Sequence, residues 1–169
     1  MLPAQAQQRD GVALQAWCVI DIARHPYLLQ SIYQHESNPE LNFLYQGTPL
    51  QTLLEYSPIL LRLTPDSPLW PLLAQPLWQQ NALVIWTEQR EPAALLRHLQ
   101  SLLFMTLERH LTLVRFYSPA TFHALSQSLA AVRLALMSGP IWGWDYCESA
   151  RWQHIVIKRE TIFVDGPAD

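Results

Sequence analysis

The chain has 169 residues, of which half are apolar and only 15% are charged, with a formal net charge of −3. This length suits one domain that buries a full hydrophobic core without disulfides or metals. A single lysine and scattered arginines form no basic stripe, so nucleic acid is not an expected partner. No apolar run approaches the roughly 18 residues that span a bilayer, so no membrane association is expected.

The cellular location is predicted from the N-terminus and the cysteines. The N-terminus has no basic segment followed by an apolar one, which argues against a signal peptide. Cys18 and Cys147 lie in apolar surroundings without metal or redox spacing, so we interpret them as buried free thiols. We therefore expect a cytoplasmic protein. Its low charge is compatible with a partner-binding surface or with a large core.

The predicted elements alternate between strands and helices. Strands are predicted at residues 12–22, 41–45, 58–63, 82–87, 104–107 and 111–117, with a closing pair at 141–148 and 151–159. Helices are predicted at residues 26–35, 49–55, 69–75, from Pro92 to Leu103, and 119–137. The ends of the chain are assigned separately, as a flexible tail at 1–11, a single domain at 12–164 and a loose C-terminus at 165–169.

This order favours an α/β fold, with a mixed β-sheet flanked by helices and an antiparallel hairpin at the C-terminus. The sheet is expected to be mixed because Glu108, Arg109 and His110 form a plausible turn between two antiparallel strands. The stretch 119–137 is one helix, or two divided near Ser126, and is stopped at Ser138. Its predicted inward side chains are Phe122, Leu125, Leu129, Val132 and Leu136.

No metal site and no cofactor are predicted. The six histidines lack the spacing of a metal motif, so we interpret them as scattered surface residues. Ser57 and Ser118 each stand in Tyr-Ser-Pro without the glycines of a nucleophile elbow. They are predicted to end a strand or cap a helix, and Ser118 fits the cap of the helix that begins at Pro119. Gly47 alone cannot form a phosphate-binding loop.

Arg115 is the charged residue that most suggests a function. It interrupts a predicted apolar strand and should share one face of it with Leu113 and Tyr117. An arginine in that position requires an anion, supplied either by an ion pair with Asp21 or Glu55 or by a partner. A small α/β enzyme that uses Asp21 and Arg115 is therefore an alternative hypothesis, which requires both side chains to open into one pocket.

Aromatic residues are concentrated near the C-terminus. Trp142, Trp144 and Tyr146 occupy alternate positions of a predicted strand and should lie on one face, which is either core or interface. Aromatic residues are frequent in the energetic centres of interfaces. Together with Trp152 and with Trp70 in a proline-rich region, they are candidate partner-binding residues, as is Arg115.

The order of several short motifs resembles a family of bacterial type VI secretion adaptors called domain of unknown function forty-one twenty-three. The resemblance extends from about Ala13 to Trp144. The motif residues that carry it are Asp21 after an apolar strand, Tyr45, Gly47, Thr48 and Pro49 in Leu-Tyr-x-Gly-Thr-Pro-Leu, Pro58, His98-Leu99, Arg115, Tyr117 and Pro119 in Arg-Phe-Tyr-x-Pro, and Gly139-Pro140.

The resemblance implies a non-enzymatic adaptor or chaperone. Such a protein binds a toxic effector and loads it onto the spike protein of the secretion apparatus. The chain departs from the family pattern at Ile22, where glycine is common, and it is shorter than many members. An immunity protein that blocks a toxin is a further alternative.

Overall fold

The computed structural model describes residues 8–9, 11–107 and 109–158. Within this part of the chain the strands are Gln8–Arg9 (β1), Val12–Ala13 (β2), Gln15–Ile20 (β3), Asn42–Phe43 (β4), Ile59–Leu63 (β5), Ala82–Thr87 (β6), Phe104–Leu107 (β7), His110–Leu113 (β8), Ile141–Glu148 (β9) and Arg151–Val156 (β10). The α-helices are Pro26–His35 (α1), Pro76–Gln79 (α2), Pro92–Ser101 (α3), Pro119–Ser128 (α4) and Ala131–Ser138 (α5). Two 3₁₀ segments, Gln51–Tyr56 and Trp70–Ala74, replace the predicted helices at 49–55 and 69–75.

Six strands form the main sheet in the order β10-β9-β6-β3-β5-β4. The α/β fold with flanking helices and a closing hairpin is confirmed. The main sheet is not mixed, however, because every pairing between its described strands is antiparallel. The β7–β8 hairpin forms a separate two-stranded sheet. The predicted mixing followed from placing that hairpin in the main sheet.

The main sheet separates two hydrophobic clusters. One cluster includes Leu83, Ile85 and Trp144 with helices α3 to α5, and the other includes Cys18, Val84 and Trp86 with α1 and α2. We call these layers the α3–α5 side and the α1 side. Because both faces of the sheet are covered, the central strands β3 and β6 are nearly continuous apolar runs instead of alternating ones.

The helical stretch 119–137 is broken at residues 129–130, which separate α4 from α5. Phe122 is buried as predicted, but Val132 and Leu136 are 70% and 75% exposed. The inward position of α5 is taken by Leu134 instead. The prediction was wrong for α5 because the break resets the helical phase, so a stripe continued from α4 no longer faces the core.

The ends of the chain depart from the predicted boundaries. Two residues of the expected tail, Gln8–Arg9, pair with Val12–Ala13. The predicted loose C-terminus at 165–169, the rest of the tail up to residue 7, Glu108 and Arg159 lie outside the described residues. Among the helices that are described, none is long and apolar enough to cross a membrane.

Candidate functional site

The polar motif residues converge beside the end of β3. Asp21 follows β3 directly, and Arg115 lies in the segment between β8 and α4. The Arg115 guanidinium donates a hydrogen bond to the Asp21 carboxylate and forms an ion pair with it. The hydroxyls of Tyr45 and Tyr117 are 2.8 Å apart, and the guanidinium carbon lies 5.8 Å from the centre of the Tyr117 ring. We call Asp21, Tyr45, Ser57, Arg115 and Tyr117 the motif network.

Arg115 does not lie in a strand, because β8 ends at Leu113. The prediction that Arg115 shares a strand face with Leu113 and Tyr117 was therefore wrong. The predicted ion pair is present and its partner is Asp21, not Glu55. The strand prediction failed because the apolar run continues to Tyr117 while the chain already turns toward α4, with the Ser118 amide bonded to the Arg115 carbonyl.

Burial and pairing set the electrostatics of this network. The Asp21 side chain is 4% exposed and also accepts a hydrogen bond from the Ala23 amide at 3.2 Å. Burial works to lower the pKa of Arg115, but the hydrogen bond and the charge of Asp21 together raise that pKa above its ordinary value. Burial, followed by the hydrogen bond with Tyr45, raises the pKa of Tyr117 well above 10. The net result keeps Arg115 charged and Tyr117 neutral.

Two hydroxyl groups hold the turn that carries Tyr45. Ser57 is fully buried, and its Oγ accepts a hydrogen bond from the Tyr45 amide at 3.0 Å. Thr48 Oγ1 donates to the Tyr45 carbonyl at 2.7 Å. Gly47 has φ of +72°, a conformation that glycine adopts without strain, and the exposed Pro49 follows the turn. Ser57 is therefore a structural residue just before β5, but its hydroxyl holds the Tyr45 turn and neither ends a strand nor caps a helix, contrary to the prediction.

The predicted helix cap at Ser118 is not made by its side chain. Ser118 occupies the N-cap position of α4, but its hydroxyl forms no capping hydrogen bond. Pro119 is buried at the first helical position. Because proline has no backbone N–H, it leaves no unsatisfied donor in the first turn of the helix. The proline therefore supplies the helix start signal. Pro58 is also buried, and its carbonyl accepts a hydrogen bond from the Leu44 amide at 3.0 Å, which joins β4 to β5.

The predicted aromatic stripe of β9 is divided between the two faces of the sheet. Trp144 and Tyr146 are buried on the α3–α5 side, whereas Trp142 packs on the α1 side. The cause is a register shift between β6 and β9, where Trp86 pairs with Gly143 and Thr87 pairs with Ile141. An extra residue in one strand reverses the alternation beyond it. Trp144 and Tyr146 are therefore core residues and lie on no surface.

The remaining candidates form a partly exposed strip on the α1 side of the β9–β10 edge. Trp70, Trp142 and Trp152 are half-buried there, and Val156 is 39% exposed. Trp70 stacks on Trp86 with their ring centres 6.3 Å apart. Within the described part of the chain, the buried indole nitrogen of Trp152 has no hydrogen-bond partner. We call Trp70, Trp142, Trp152, His154 and Val156 the aromatic strip.

A buried carboxylate lies beneath this strip. Asp145 is 1% exposed, accepts a hydrogen bond from Trp86 Nε1 at 2.6 Å and pairs with His154 Nδ1. His154 is opposite Asp145 in the β9–β10 register. Sequence reasoning missed this pair. The available signal was Asp145 itself, a charge within an apolar strand that needs a partner on the neighbouring strand of the hairpin.

Two other histidines are also part of the packed structure, which contradicts their interpretation as surface residues. His98 Nε2 lies 2.9 Å from the Met137 carbonyl, and burial lowers the pKa of His98. His123 Nδ1 lies 3.0 Å from the Tyr146 hydroxyl. Among the described residues, no three His, Cys, Asp or Glu side chains come close enough to hold a metal ion.

The two thiols are free, and they differ in burial. Cys18 is buried in β3, and Cys147 is half-buried in β9. Burial is the main reason why the pKa of each thiol is raised. Raised values disfavour the reactive thiolate.

A family model described as "Domain of unknown function (DUF4123)" matches residues 16–136. The chain belongs to the DUF4123 family. No curated protein and no solved structure matches it. The DUF4123 match contains the whole motif network, but it ends before Gly139, Pro140 and strands β9 and β10. The aromatic strip therefore lies mostly outside the matched region.

Proposed function

We propose that this DUF4123 protein is a non-enzymatic cytoplasmic adaptor that binds a toxin effector of a type VI secretion system and helps to load it onto the spike protein. The proposal starts from the order of the motifs from Asp21 to Gly139-Pro140, which resembles adaptors of this kind. Membership of the DUF4123 family supports the resemblance over residues 16–136. The partners themselves are proposed on the resemblance.

The observation that carries the proposal is the aromatic strip. Its three tryptophans are only half-buried, and they line the side of the edge strand β10 that α1 and α2 leave partly open. Tryptophan contributes strongly to interfaces because it buries a large area and loses little conformational freedom. A strip outside the region that the family shares is suited to binding a partner that differs among family members.

The motif network supports a structural role for the residues of the enzyme alternative. A catalytic Asp21 would have to be free to accept a proton from a substrate, but its carboxylate is buried and held by Arg115 and the Ala23 amide. A groove of about 200 Å³ in this structure is lined by neither Asp21 nor Arg115. These contacts favour a structural role, in which the network joins the ends of β3, β4 and β8.

Co-expression with a candidate toxin encoded by a neighbouring gene tests the proposal. We expect a complex that co-purifies and a gain in soluble toxin. Val156→Asp places a charge on the strip at a position that is already 39% exposed, and Trp152→Ala removes an aromatic anchor. Loss of a strong aromatic contact costs about 2 kcal/mol, so binding should weaken roughly 30-fold.

The matched control is Tyr33→Ala on α1, because Tyr33 is an aromatic residue that is 59% exposed and is not a member of the strip. Thermal melts of all three variants separate unfolding from loss of binding. A toxin that neither binds the wild-type chain nor becomes more soluble would refute the adaptor function. Protection of toxin-exposed cells by this chain alone would indicate an immunity protein instead.

A further inference from the structure

A second apolar surface lies on the α3–α5 side, across the sheet from the aromatic strip. Ten large hydrophobic side chains are markedly exposed in the described part of the chain, and half of them belong to the β7–β8 hairpin and α5. These five are Met105, Leu111, Leu113, Val132 and Leu136. Apolar side chains concentrated in this way mark interaction surfaces more often than scattered ones do.

An apolar groove of about 200 Å³ lies between the hairpin and the helices. It is formed by the end of α3, by β7, by the segment after β8, and by α4 and α5. Its main lining side chains are Leu102, Phe104, Met105, Phe116, Leu125 and Met137. A groove of this size accepts one or two large apolar side chains of a partner.

The charge of this region is opposite to that of the rest of the chain. Residues 92–140 contain four arginines, no lysine and a single acidic residue, Glu108, which gives a net charge of +3. The remaining residues contain seven basic and thirteen acidic residues, a net charge of −6. Even with Arg115 paired to Asp21, the helices and hairpin that enclose the groove are the basic part of an acidic protein.

Two of these arginines stand beside the groove. Arg97 lies four residues before Ser101 on α3, and Arg133 lies four residues before Met137 on α5. Residues four apart share a helix face, and Ser101 and Met137 both line the groove. Arg97 and Arg133 are exposed, and within the part of the chain that the structure describes neither forms an ion pair.

We propose that this groove binds an acidic amphipathic helix of a partner protein, whose apolar face enters the groove and whose flanking carboxylates pair with Arg97 and Arg133. The positive charges select the partner, since an acidic helix is attracted to them and a basic helix is repelled. The inference rests on the proposed function in one respect, because an adaptor that joins two proteins needs a second surface. Helix binding can nevertheless be measured on its own.

The probe is a synthetic helical peptide with leucine on one face and glutamate along both flanks, labelled for fluorescence anisotropy with the full chain. One comparison peptide carries lysine in place of glutamate, and another carries serine in place of leucine. Only the first peptide should bind, and high salt should weaken its binding by screening the charges. In the double variant Arg97→Glu/Arg133→Glu, repulsion replaces two surface attractions, so affinity should fall about tenfold.

Two variants control for general charge and for folding. Arg24→Glu makes a similar change beside α1, on the other side of the sheet, and should bind like the wild type. Leu136→Asp alters a side chain that is 75% exposed, so it should fold normally and bind poorly. The proposal is wrong if the acidic peptide does not bind, if the lysine peptide binds equally well, or if Arg24→Glu causes the same loss.

A second copy of the chain could also occupy the groove. Sedimentation velocity would then show a wild-type dimer that Leu136→Asp converts to a monomer, and the proposal would be overturned. Toxin co-purification separates this inference from the adaptor function. If the toxin still binds while the peptide does not, the groove proposal fails and the adaptor proposal stands.

Discussion

Replacing Gly139 by alanine tests how closely the turn after α5 packs against α3. Gly139 has φ of +51° and ψ of −113°, a combination that favours glycine. A Cβ atom at this position would lie 2.4 Å from His98 Cε1, far inside contact distance. The His98 ring is held in place by the Met137 carbonyl, which lies 2.9 Å from its Nε2 atom.

The expected destabilisation has two separable parts. The backbone conformation alone costs a residue with a Cβ atom about 1–3 kcal/mol. Moving the His98 ring costs about 1 kcal/mol for its hydrogen bond, with roughly 1–2 kcal/mol more for disturbed packing. Gly139→Ala should therefore lower the free energy of unfolding by about 3–6 kcal/mol. At roughly 2–4 °C per kcal/mol, the melting temperature should fall by about 6–24 °C.

A double-mutant cycle with His98→Ala measures the two parts. Alanine at position 98 removes the ring that a Cβ atom at Gly139 would meet, so Gly139→Ala should cost only its backbone share in that background. Urea denaturation of the four proteins, followed by circular dichroism, supplies the free energies. If Gly139→Ala costs the same in both backgrounds, or less than about 1 kcal/mol in the wild type, the packing argument is refuted.

Three further predictions concern the buried polar groups. Burial lowers the pKa of His98 below 6.5 in the folded chain, so the unfolded chain takes up the His98 proton at a higher pH than the folded chain does. The contribution of His98 to stability is therefore full above pH 6.5 and is lost as the pH falls toward the lowered folded-state pKa. This pH dependence should be absent from the stability profile of His98→Gln. Asp145→Ala and His154→Ala should each cost about 3 kcal/mol in urea denaturation, the first because it leaves the buried Trp86 indole N–H without its acceptor and the second because it leaves the buried Asp145 carboxylate without its ion-pair partner; a loss well below about 1 kcal/mol for either would contradict this. Tyr45→Phe and Tyr117→Phe should each cost about 1 kcal/mol, and the double variant less than their sum, since one bond joins the two hydroxyls.

Local signals predicted the elements that have strong boundaries of their own. The helix at Pro26–His35 and the strand at Ala82–Thr87 were predicted with the bounds that the structure shows. A proline fixes the first turn of the helix, and the strand is a short run of branched and aromatic residues between polar ones. Such features act within a few residues, so they can be recognised without knowledge of the fold.

The errors arose where a distant contact or a single inserted residue decided the outcome. Trp142 was placed with Trp144 because strict alternation was assumed, and the register shift opposite Trp86 reverses it. Val132 was placed inward because one helical phase was assumed across the break before α5. For Arg115, an ion pair with Asp21 or Glu55 was predicted, and only the fold selects Asp21.

The location of the motif residues bears on what membership of the DUF4123 family implies. The residues of the motif network contact one another and join the ends of β3, β4 and β8, so selection for the fold alone is sufficient to maintain their pattern. Partner choice is better sought on the surfaces that these motifs do not form. The sheet places two such surfaces on opposite sides, the aromatic strip and the apolar groove beside Arg97 and Arg133, so a partner bound at one leaves the other accessible. The proposed adaptor function requires this separation, which predicts that Val156→Asp and Leu136→Asp weaken the binding of different partners.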